Sequence, residues 1–357
     1  MPSSRLVTPV LIAGSLILVA NFGIRASFGL FQLPIATEFG WPRAEFSLAI
    51  AIQNLAWGIG APIFSVIAER FGDRKAIVAG AILYALGLTL SAYATTPLGH
   101  QALNVLIGFG IAGTGFGVIL AIVGRSAPPE RRSMALGIAT AAGSAGQVVG
   151  PPLAEALLGV MDWPGVFLVF AAVILASMAL VPALRGPPPL VPKGAIPEAS
   201  MREIVGGAFR DPSYALIFLG FFSCGYQLGF ITAHFPAFIA EVCSPIPPGS
   251  LLASLGISSL SALGALAIAV IGLANIAGTI AAGALGSRYR KKYLLAQIYL
   301  GRTVVSAAFI LAPMTPASVL VFSVLMGALW LATVPLTSGL IAQIYGPRYM
   351  GTLYGFV

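Results

Sequence analysis

The sequence predicts an all-α polytopic membrane protein, and three observations support this prediction. Apolar runs of about 20 residues alternate with short breaks, and a helix of that length crosses a hydrocarbon core of about 30 Å. Lys and Arg occur at almost every second break, as expected when alternate loops face the cytoplasm. The composition is 58% hydrophobic and 8% charged, with a mean hydropathy of +0.96. This composition leaves no room for a soluble domain of ordinary size.

Ten apolar runs are long enough to cross the bilayer as helices. They extend over residues 7–33, 44–68, 76–95, 101–124, 134–159, 165–184, 213–240, 259–286, 293–312 and 317–345. An eleventh run begins near Met350 and continues to Val357. The first run is too long for the apolar core of a signal peptide, and Arg25 stands where a cleavage site needs small residues. We therefore interpret it as a retained helix.

The distribution of basic residues predicts a cytoplasmic amino terminus. In that orientation sixteen of the nineteen Lys and Arg residues lie inside, Arg43 lies outside, and Arg25 and Arg302 lie within runs. The inner set is Arg5, Arg70, Arg74, Lys75, Arg125, Arg131, Arg132, Arg185, Lys193, Arg202, Arg210, Arg288, Arg290, Lys291, Lys292 and Arg348. Because these cations are dispersed among short loops, the formal charge of +8 suits anionic lipid and not nucleic acid. We expect an integral protein of the cell (inner) membrane.

Several classes of function lack the residues that they need. Cys224 within a run and Cys243 near an outer loop give no disulfide framework. Two histidines, His100 and His234, give no metal site. No nucleophile has a base in reach, and no loop is long enough to form the sensing domain of a receptor. We therefore expect no enzyme, no catalytic residue, no metal and no cofactor.

A proline-rich break divides the chain into two predicted bundles. The segment 185–212 contains Pro187, Pro188, Pro189, Pro192 and Pro197, together with Arg185, Lys193, Arg202 and Arg210. Such a segment cannot continue a helix, and we interpret it as a cytoplasmic linker. Residues 1–184 before it form a six-helix bundle in this interpretation. Residues 213–357 form a second bundle of four helices and the start of a fifth.

Similar loops follow the second run of each half. The first reads Ser65-Val-Ile-Ala-Glu69-Arg70-Phe-Gly72-Asp73-Arg74-Lys75, and the second reads Gly283-Ala-Leu-Gly-Ser287-Arg288-Tyr-Arg290-Lys291-Lys292. Both resemble Gly-x-x-x-Asp-Arg-x-Gly-Arg-Lys, the signature of the major facilitator superfamily. Ser65, Glu69 and Asp73 depart from it in the first loop, and Ser287 lacks the carboxylate in the second. Gly146-Gln-Val-Val-Gly150-Pro151 is similar to the family's fifth-helix motif, whereas Asn104 stands where many members have Arg.

The resemblance implies the major facilitator fold, with two six-helix bundles of which the second is incomplete in this chain. Twelve helices are then expected, so about fifty residues should be absent after Val357. The resemblance also implies that the signature residues control conformational gating, with the start of the eleventh helix near Met350 and Gly351 as the partner of Glu69. The gating set is Glu69, Arg70, Gly72, Asp73, Arg74, Arg288, Gly146, Gly150 and Pro151.

Arg25 is the strongest candidate for contact with substrate. A charged side chain at the centre of a membrane helix costs roughly 2.5 to 3.5 kcal/mol, so Arg25 and Arg302 are functional candidates. No Asp or Glu lies as deep in the sequence, and an anionic substrate would complete the charge. Asn21, Arg25 and Gln32 recur at helical spacing on one face. In the resembled family helices 1, 4, 7 and 10 line the central cavity, which favours Arg25. A structural hydrogen-bonding role is the alternative for both arginines.

Other polar and aromatic residues within the runs are candidate substrate contacts. The set is Asn21, Gln53, Trp57, Gln227, His234, Trp330 and Arg302. Gln227 and His234 are seven residues apart on one helix face, and histidine can carry a proton near neutral pH. A neutral histidine bonded within the bundle is the alternative, as static packing is for the aromatic residues and for the glycines.

The sequence thus predicts a secondary active transporter for a small organic anion, a monocarboxylate or a dicarboxylate. Gly40-Trp41-Pro42-Arg43, Phe46-Ser47 and Asp162-Trp163 look similar to the bacterial oxalate/formate antiporter and monocarboxylate porter branch of the family. A transporter or efflux pump for neutral or cationic molecules is the alternative. The expected partners are the substrate and the lipid bilayer, with no nucleic acid and with a monomeric protein. Coupling to a proton or a counter-anion, as symport or antiport, is left open.

Overall fold

All the regular secondary structure in the described part of the chain is helical. The computed structural model describes residues 7–184 and 201–357. Its α-helices are α1 Pro9–Ser27, α2 Gln32–Phe39, α3 Arg43–Phe71, α4 Asp73–Ser91, α5 Pro97–Thr114, α6 Phe116–Ser126, α7 Arg132–Leu158, α8 Trp163–Ser177, α9 Met201–Ala208, α10 Pro212–Val242, α11 Leu251–Ser254, α12 Leu260–Arg288, α13 Lys291–Leu311, α14 Pro316–Leu329, α15 Thr333–Tyr345 and α16 Met350–Phe356. Short 3-10 helices, Phe28–Phe31 and Met178–Ala183, follow α1 and α8.

Each predicted membrane run overlaps at least one of these helices, which confirms the all-α fold. Among the described residues, eight spans are long and apolar enough to cross a membrane. The other two runs correspond to α7 and α10, which have 27 and 31 residues. The eight spans do not support the expectation that residues are absent after Val357.

Two of the predicted runs are interrupted near their centres. The run 101–124 divides at Gly115 into α5 and α6, and the run 317–345 divides at Trp330, Leu331 and Ala332 into α14 and α15. Interruptions at membrane depth are tolerated where protein groups satisfy the freed backbone. The sequence did not predict either break.

The predicted linker is only partly visible, because its residues 185–200 lie outside the described ones. The remainder is largely helical, since α9 and the first residue of α10 fall within it. The Asp211 side chain caps α10 by accepting a bond from the Ser213 backbone N–H at 2.8 Å. The Tyr345 hydroxyl donates to the same carboxylate at 2.5 Å. These bonds, that of Tyr345 foremost, hold the pKa of Asp211 below its usual range.

Backbone-to-backbone packing of α1 on α7 requires glycine. A Cβ on Gly146 would lie 2.3 Å from the carbonyl oxygen of Val19, and a Cβ on Gly150 would lie 2.1 Å from that of Gly23. Neither distance can be accommodated without a shift of the backbone, so the two helices approach closely only because these side chains are absent. The predicted fifth-helix motif therefore has a packing function in this arrangement.

The two halves of the chain meet along α7 and α12. A Cβ on Gly137 of α7 would lie 2.9 Å from the Cα of Gly283 on α12, so the helices touch through their backbones. Further along the same contact, the Asn275 amide donates to the Ser144 hydroxyl at 2.8 Å. Both of these polar residues are fully buried. One end of this assembly collects helix ends that carry basic residues, and we call it the basic end. Its residues are Arg70, Arg74, Arg125, Arg132, Arg288 and Lys291.

Candidate functional site

Arg25 is held in α1 by one hydrogen bond and one aromatic ring. Its Nη2 donates to the Asn54 side-chain oxygen at 2.8 Å, and its guanidinium carbon lies 4.6 Å from the ring centroid of Trp57. Both partners lie on α3 and are uncharged. The Arg25 side chain is half-buried, and its Nε is buried without a hydrogen-bond partner. Among the described residues, no carboxylate forms an ion pair with it.

Two further aromatic rings, Phe22 and Phe116, extend the surface that Trp57 forms next to Arg25. The Phe22 ring meets Trp57 edge to face at 5.9 Å and stacks on Phe116 at 4.3 Å. Arg25 therefore lies over an apolar, polarisable surface, on which a cation is stabilised by the ring of Trp57. A guanidinium has five donors, and Asn54 uses one of them. The other donors are not used by Asn54 and could bond a further acceptor.

Asn21 does not share the environment of Arg25, although the spacing places both on one face of α1. The Asn21 amide nitrogen donates to the Ile111 carbonyl at 3.2 Å and to the Thr114 hydroxyl at 2.5 Å. Asn21 is fully buried against α5, next to the break at Gly115. Its described contacts are those of a helix-packing residue.

Gln53 also faces α5. Its amide donates to the Asn104 oxygen at 3.0 Å, and Asn104 donates to the His100 carbonyl at 2.9 Å. Gln53 is 2% exposed and Asn104 is fully buried. Asn104, the residue that departs from the family pattern, thus takes part in a neutral amide pair between α3 and α5. Trp57 is the member of the predicted set on α3 that contacts Arg25.

Arg302 reaches the break between α14 and α15. Its Nε and Nη2 donate to the Leu329 carbonyl at 3.0 and 2.6 Å, and Nη2 also donates to the Trp330 carbonyl. The Arg302 side chain is 2% exposed. These contacts satisfy carbonyls that the end of α14 leaves free, which is the structural role given above as the alternative for Arg302.

The remaining predicted contacts lie in the second half. The Gln227 amide donates to the Ser306 hydroxyl at 3.3 Å, between α10 and α13. Trp330 is buried at the α14 break. The His234 side chain lies outside the described residues. The described predicted residues therefore occupy several separate places. Among them the structure brings together Arg25 with the Trp57 ring and Arg302 with the Trp330 carbonyl.

The Glu69 side chain, near the end of α3, contacts the start of α16, where the family resemblance predicted its partner. One carboxylate oxygen accepts the Thr352 backbone N–H at 3.0 Å, and the other accepts the Thr352 hydroxyl at 2.6 Å. A Cβ on Gly351 would lie 3.3 Å from the Glu69 carboxylate. Glu69 thereby connects α3 of the first half to α16 of the second.

The other signature residues make contacts within the first half or are exposed. Asp73 forms an ion pair with Arg125 at 2.5 Å, and Arg74 donates to the Pro182 carbonyl at 2.8 Å. Gly72 joins α3 to α4 with a φ of 102°, a conformation that side chains rarely adopt. Arg70 and Arg288 are exposed at the basic end, and Pro151 lies inside α7.

Sequence reasoning missed two polar residues. Asn275 accepts the Leu331 backbone N–H at 2.9 Å while donating to Ser144, so it joins the α14 break to the contact between the halves. An amide deep in an apolar run was the available signal. Thr352 had no such signal, because its role depends on Glu69. The described residues contain no cluster of metal ligands.

A family model and curated relatives indicate the same family for this chain. The family model described as Major Facilitator Superfamily matches residues 13–357. Monocarboxylate transporter 13 of Bos taurus is 31% identical over 245 residues, which are 67% of this chain and 55% of that protein. The uncharacterized MFS-type transporter YcxA of Bacillus subtilis is 22% identical over 342 residues, which are 93% of this chain and 79% of that protein. This chain thus spans about half the length of the monocarboxylate transporter.

A solved structure shows the same fold. The E. coli fucose:proton symporter FucP, in a variant form, superposes with a TM-score of 0.70 over 98% of this chain and 89% of that one. At 15% sequence identity the likeness shows the fold alone. The family and the names of the relatives point to transport and not to catalysis. The apolar spans, the paired signature loops and the match over residues 13–357 show that this chain is an integral membrane protein that belongs to the Major Facilitator Superfamily.

Proposed function

We propose that this protein is a secondary active transporter that moves a small organic anion, a monocarboxylate or a dicarboxylate, by alternating access. The observation that carries the proposal is the environment of Arg25. Its guanidinium lies inside an apolar span, with a neutral amide and an aromatic ring as its partners. In the described part of the chain no carboxylate balances this charge. A bound anion would supply the balance.

The chemistry of the site favours a carboxylate in particular. A guanidinium presents parallel N–H donors that match the two oxygens of a carboxylate, and the bonds are charge-assisted. In a site with little water the attraction is stronger than at a surface. The neighbouring rings of Trp57, Phe22 and Phe116 offer an apolar wall for the carbon skeleton of the same ligand. The relatives named monocarboxylate transporters support this substrate class.

The contacts between the halves support alternating access. At the basic end Glu69 bonds Thr352, and Gly137 touches Gly283 through its backbone. A path for substrate at this end would require these contacts to separate. The carboxylate of Glu69 can exchange its two bonds for water as the halves move apart, because it lies near the end of its helix. We assign the gating role of the signature loops on this basis.

Several finer features belong to the same proposal. The amino terminus would lie in the cytoplasm and the protein would function as a monomer in the cell (inner) membrane. Transport would be coupled to a proton or to a counter-anion, with His234 as the candidate proton carrier. Gln227 and Trp330 would line the substrate path in at least one of the two conformations.

Uptake by proteoliposomes tests the proposal. The purified chain is reconstituted and offered labelled lactate, pyruvate, oxalate and succinate, with a neutral sugar and a cationic amine as comparisons, and empty liposomes give the background. We expect saturable uptake of at least one carboxylate and none of the sugar or amine. A proton gradient or preloaded unlabelled anion then separates symport from exchange. Uptake of the neutral or cationic solute without any carboxylate would contradict the proposal and favour the alternative transporter class.

A further inference from the structure

A polar cavity lies between the two halves at the basic end. It has a volume of about 230 Å³, and its lining includes Arg132, Ser133, Gly286, Ser287, Lys291 and Gln343. Arg132 and Ser133 begin α7 of the first half, whereas the other four lie on α12, α13 and α15 of the second. Arg25 is not part of this lining. The cavity is therefore separate from the proposed substrate contact at Arg25.

Two cations face the cavity without a carboxylate in its lining. Arg132 and Lys291 are both half-buried, and they lie within electrostatic range of each other. The exposed Glu130 is close enough to act on Arg132, but it does not line the cavity. The Arg132 Nε donates to the Gly124 carbonyl at 2.7 Å, which holds the guanidinium in place and leaves its terminal nitrogens for a ligand. Two like charges held together in this way favour an anion between them.

Ser133 gives an independent indication of a ligand. Its side chain is 3% exposed, and its hydroxyl has no hydrogen-bond partner in the structure. An unpaired buried hydroxyl costs free energy, so a site that keeps one usually supplies it with a partner. Gly286 leaves the space around this hydroxyl open, because a Cβ there would lie 2.4 Å from the Ser133 Oγ.

The helix ends add to the positive potential. Arg132 is the first residue of α7, and Lys291 is the first residue of α13, so both helices begin at the cavity. No side chain caps the first turn of α13. The first N–H groups of a helix carry partial positive charge and favour an anion. Gly339 of α15 allows the Lys291 side chain to lie close by, since a Cβ there would be 3.0 Å from the Lys291 Cε.

We propose that this cavity binds a phosphate-like oxyanion that bridges the two halves. Arg132 and Lys291 neutralise its charge, and the Ser133 hydroxyl donates to one of its oxygens. The share of a water molecule in the liquid is about 30 Å³, so the cavity has room for a small oxyanion with a few waters. The anion is either free phosphate or the headgroup of an anionic lipid, which present the same chemistry. Because its ligands come from both halves, a bound anion stabilises the arrangement that closes the basic end.

Thermal unfolding measures this binding without reference to transport. Cys224 and Cys243 are both buried and free, so a thiol-reactive dye reports unfolding of the full chain. In one arm the detergent-purified protein is titrated with inorganic phosphate against chloride at equal ionic strength. In the other, phosphate is omitted and nanodiscs of phosphatidylcholine are compared with nanodiscs that contain phosphatidylglycerol. We expect a saturable rise in Tm in at least one arm, and the arm identifies the source of the anion.

Two neighbouring lysines provide a matched pair of variants. Lys291→Gln removes a cavity cation, whereas Lys292→Gln removes the next charge, which is exposed and lies outside the lining. Lys291→Gln should lower the apparent affinity for the anion, taken from the titration of Tm, by about fivefold or more. Lys292→Gln should leave that affinity unchanged. Ser133→Ala should weaken the rise without lowering Tm in the absence of anion, so it keeps the test valid if Lys291→Gln misfolds. No rise in either arm, or equal losses in both lysine variants, would overturn the proposal.

Discussion

The Glu69 carboxylate of α3 accepts two hydrogen bonds from Thr352 of α16, one from its backbone N–H at 3.0 Å and one from its hydroxyl at 2.6 Å. The two residues are 283 positions apart and belong to different halves. Both oxygens of one carboxylate are thus used across the boundary that must open in alternating access. This contact gives the first signature loop a physical connection to the second half.

Glu69→Gln should slow transport and leave substrate affinity within about threefold. The amide oxygen can still accept the Thr352 N–H and the NH₂ can donate to the Thr352 hydroxyl, but the variant loses the charge that strengthens both bonds. The conformational balance changes as a result, while Arg25 is untouched. Uptake rate and equilibrium binding are measured on the same preparation. Glu241→Gln, at an exposed position near the end of α10, serves as the control, and loss of binding in folded Glu69→Gln would contradict the gating role.

Asn275→Ala should lower the Tm more than Ser144→Ala does. The first substitution leaves the buried Leu331 N–H without its acceptor, which costs about 1 to 3 kcal/mol, and it also breaks the bond between the halves. The second removes the bond from Asn275 and the bond that the Ser144 hydroxyl donates to the Thr140 carbonyl, but it leaves the Leu331 N–H its acceptor. Thermal unfolding with the thiol-reactive dye compares them. Equal effects would show that the Leu331 bond contributes nothing and that the α14 break is held by other groups.

Gly146→Ala should destabilise the protein, because the added methyl would lie 2.3 Å from the Val19 carbonyl oxygen. Overpacking of this kind costs about 1 to 3 kcal/mol. Gly58→Ala is the matched control, since a Cβ there meets nothing within 4 Å and alanine is the better helix former. A normal Tm for Gly146→Ala would mean that α1 and α7 can separate at little cost.

Arg302→Gln should reduce the folded yield and lower the Tm, while the protein that does fold should bind substrate with nearly unchanged affinity. Glutamine is too short to bond the Leu329 and Trp330 carbonyls together, and each bond from a charged donor contributes about 1.5 to 3 kcal/mol. Size-exclusion profiles and binding assays separate the two effects. A variant that folds normally and loses affinity would contradict the structural role and indicate that Arg302 contacts substrate.

The sequence predicted the helices well because apolar length alone determines a membrane span. It also placed Glu69 correctly, since the signature loop fixes its position at the end of α3. The breaks at Gly115 and near Leu331 were not predictable in this way. The second depends on Asn275, which accepts the Leu331 N–H, and on Arg302, which donates to the Leu329 carbonyl, and both residues are distant from the break in sequence.

Helical spacing was an incomplete guide to the site. It put Asn21 and Arg25 on one face of α1, but Asn21 bonds residues of α5 and Arg25 reaches Asn54 on α3. A helix face about 100° wide touches more than one neighbouring helix. The packing of α3 and α5 therefore decides which of these helices each side chain contacts. The cavity at Lys291 was missed for a related reason, because its lining comes from both halves.

The most direct test of Arg25 as the anion contact is a binding measurement with a labelled monocarboxylate. It compares Arg25→Gln and Arg25→Lys with the unmodified protein. Glutamine keeps hydrogen bonding and removes the charge, so we predict at least a tenfold loss of affinity, about 1.4 kcal/mol, with partial recovery in Arg25→Lys. Arg202→Gln, at an exposed position on α9, should bind as the unmodified protein does. Folded Arg25→Gln that binds the carboxylate with unchanged affinity would contradict the assignment of Arg25 as the anion contact.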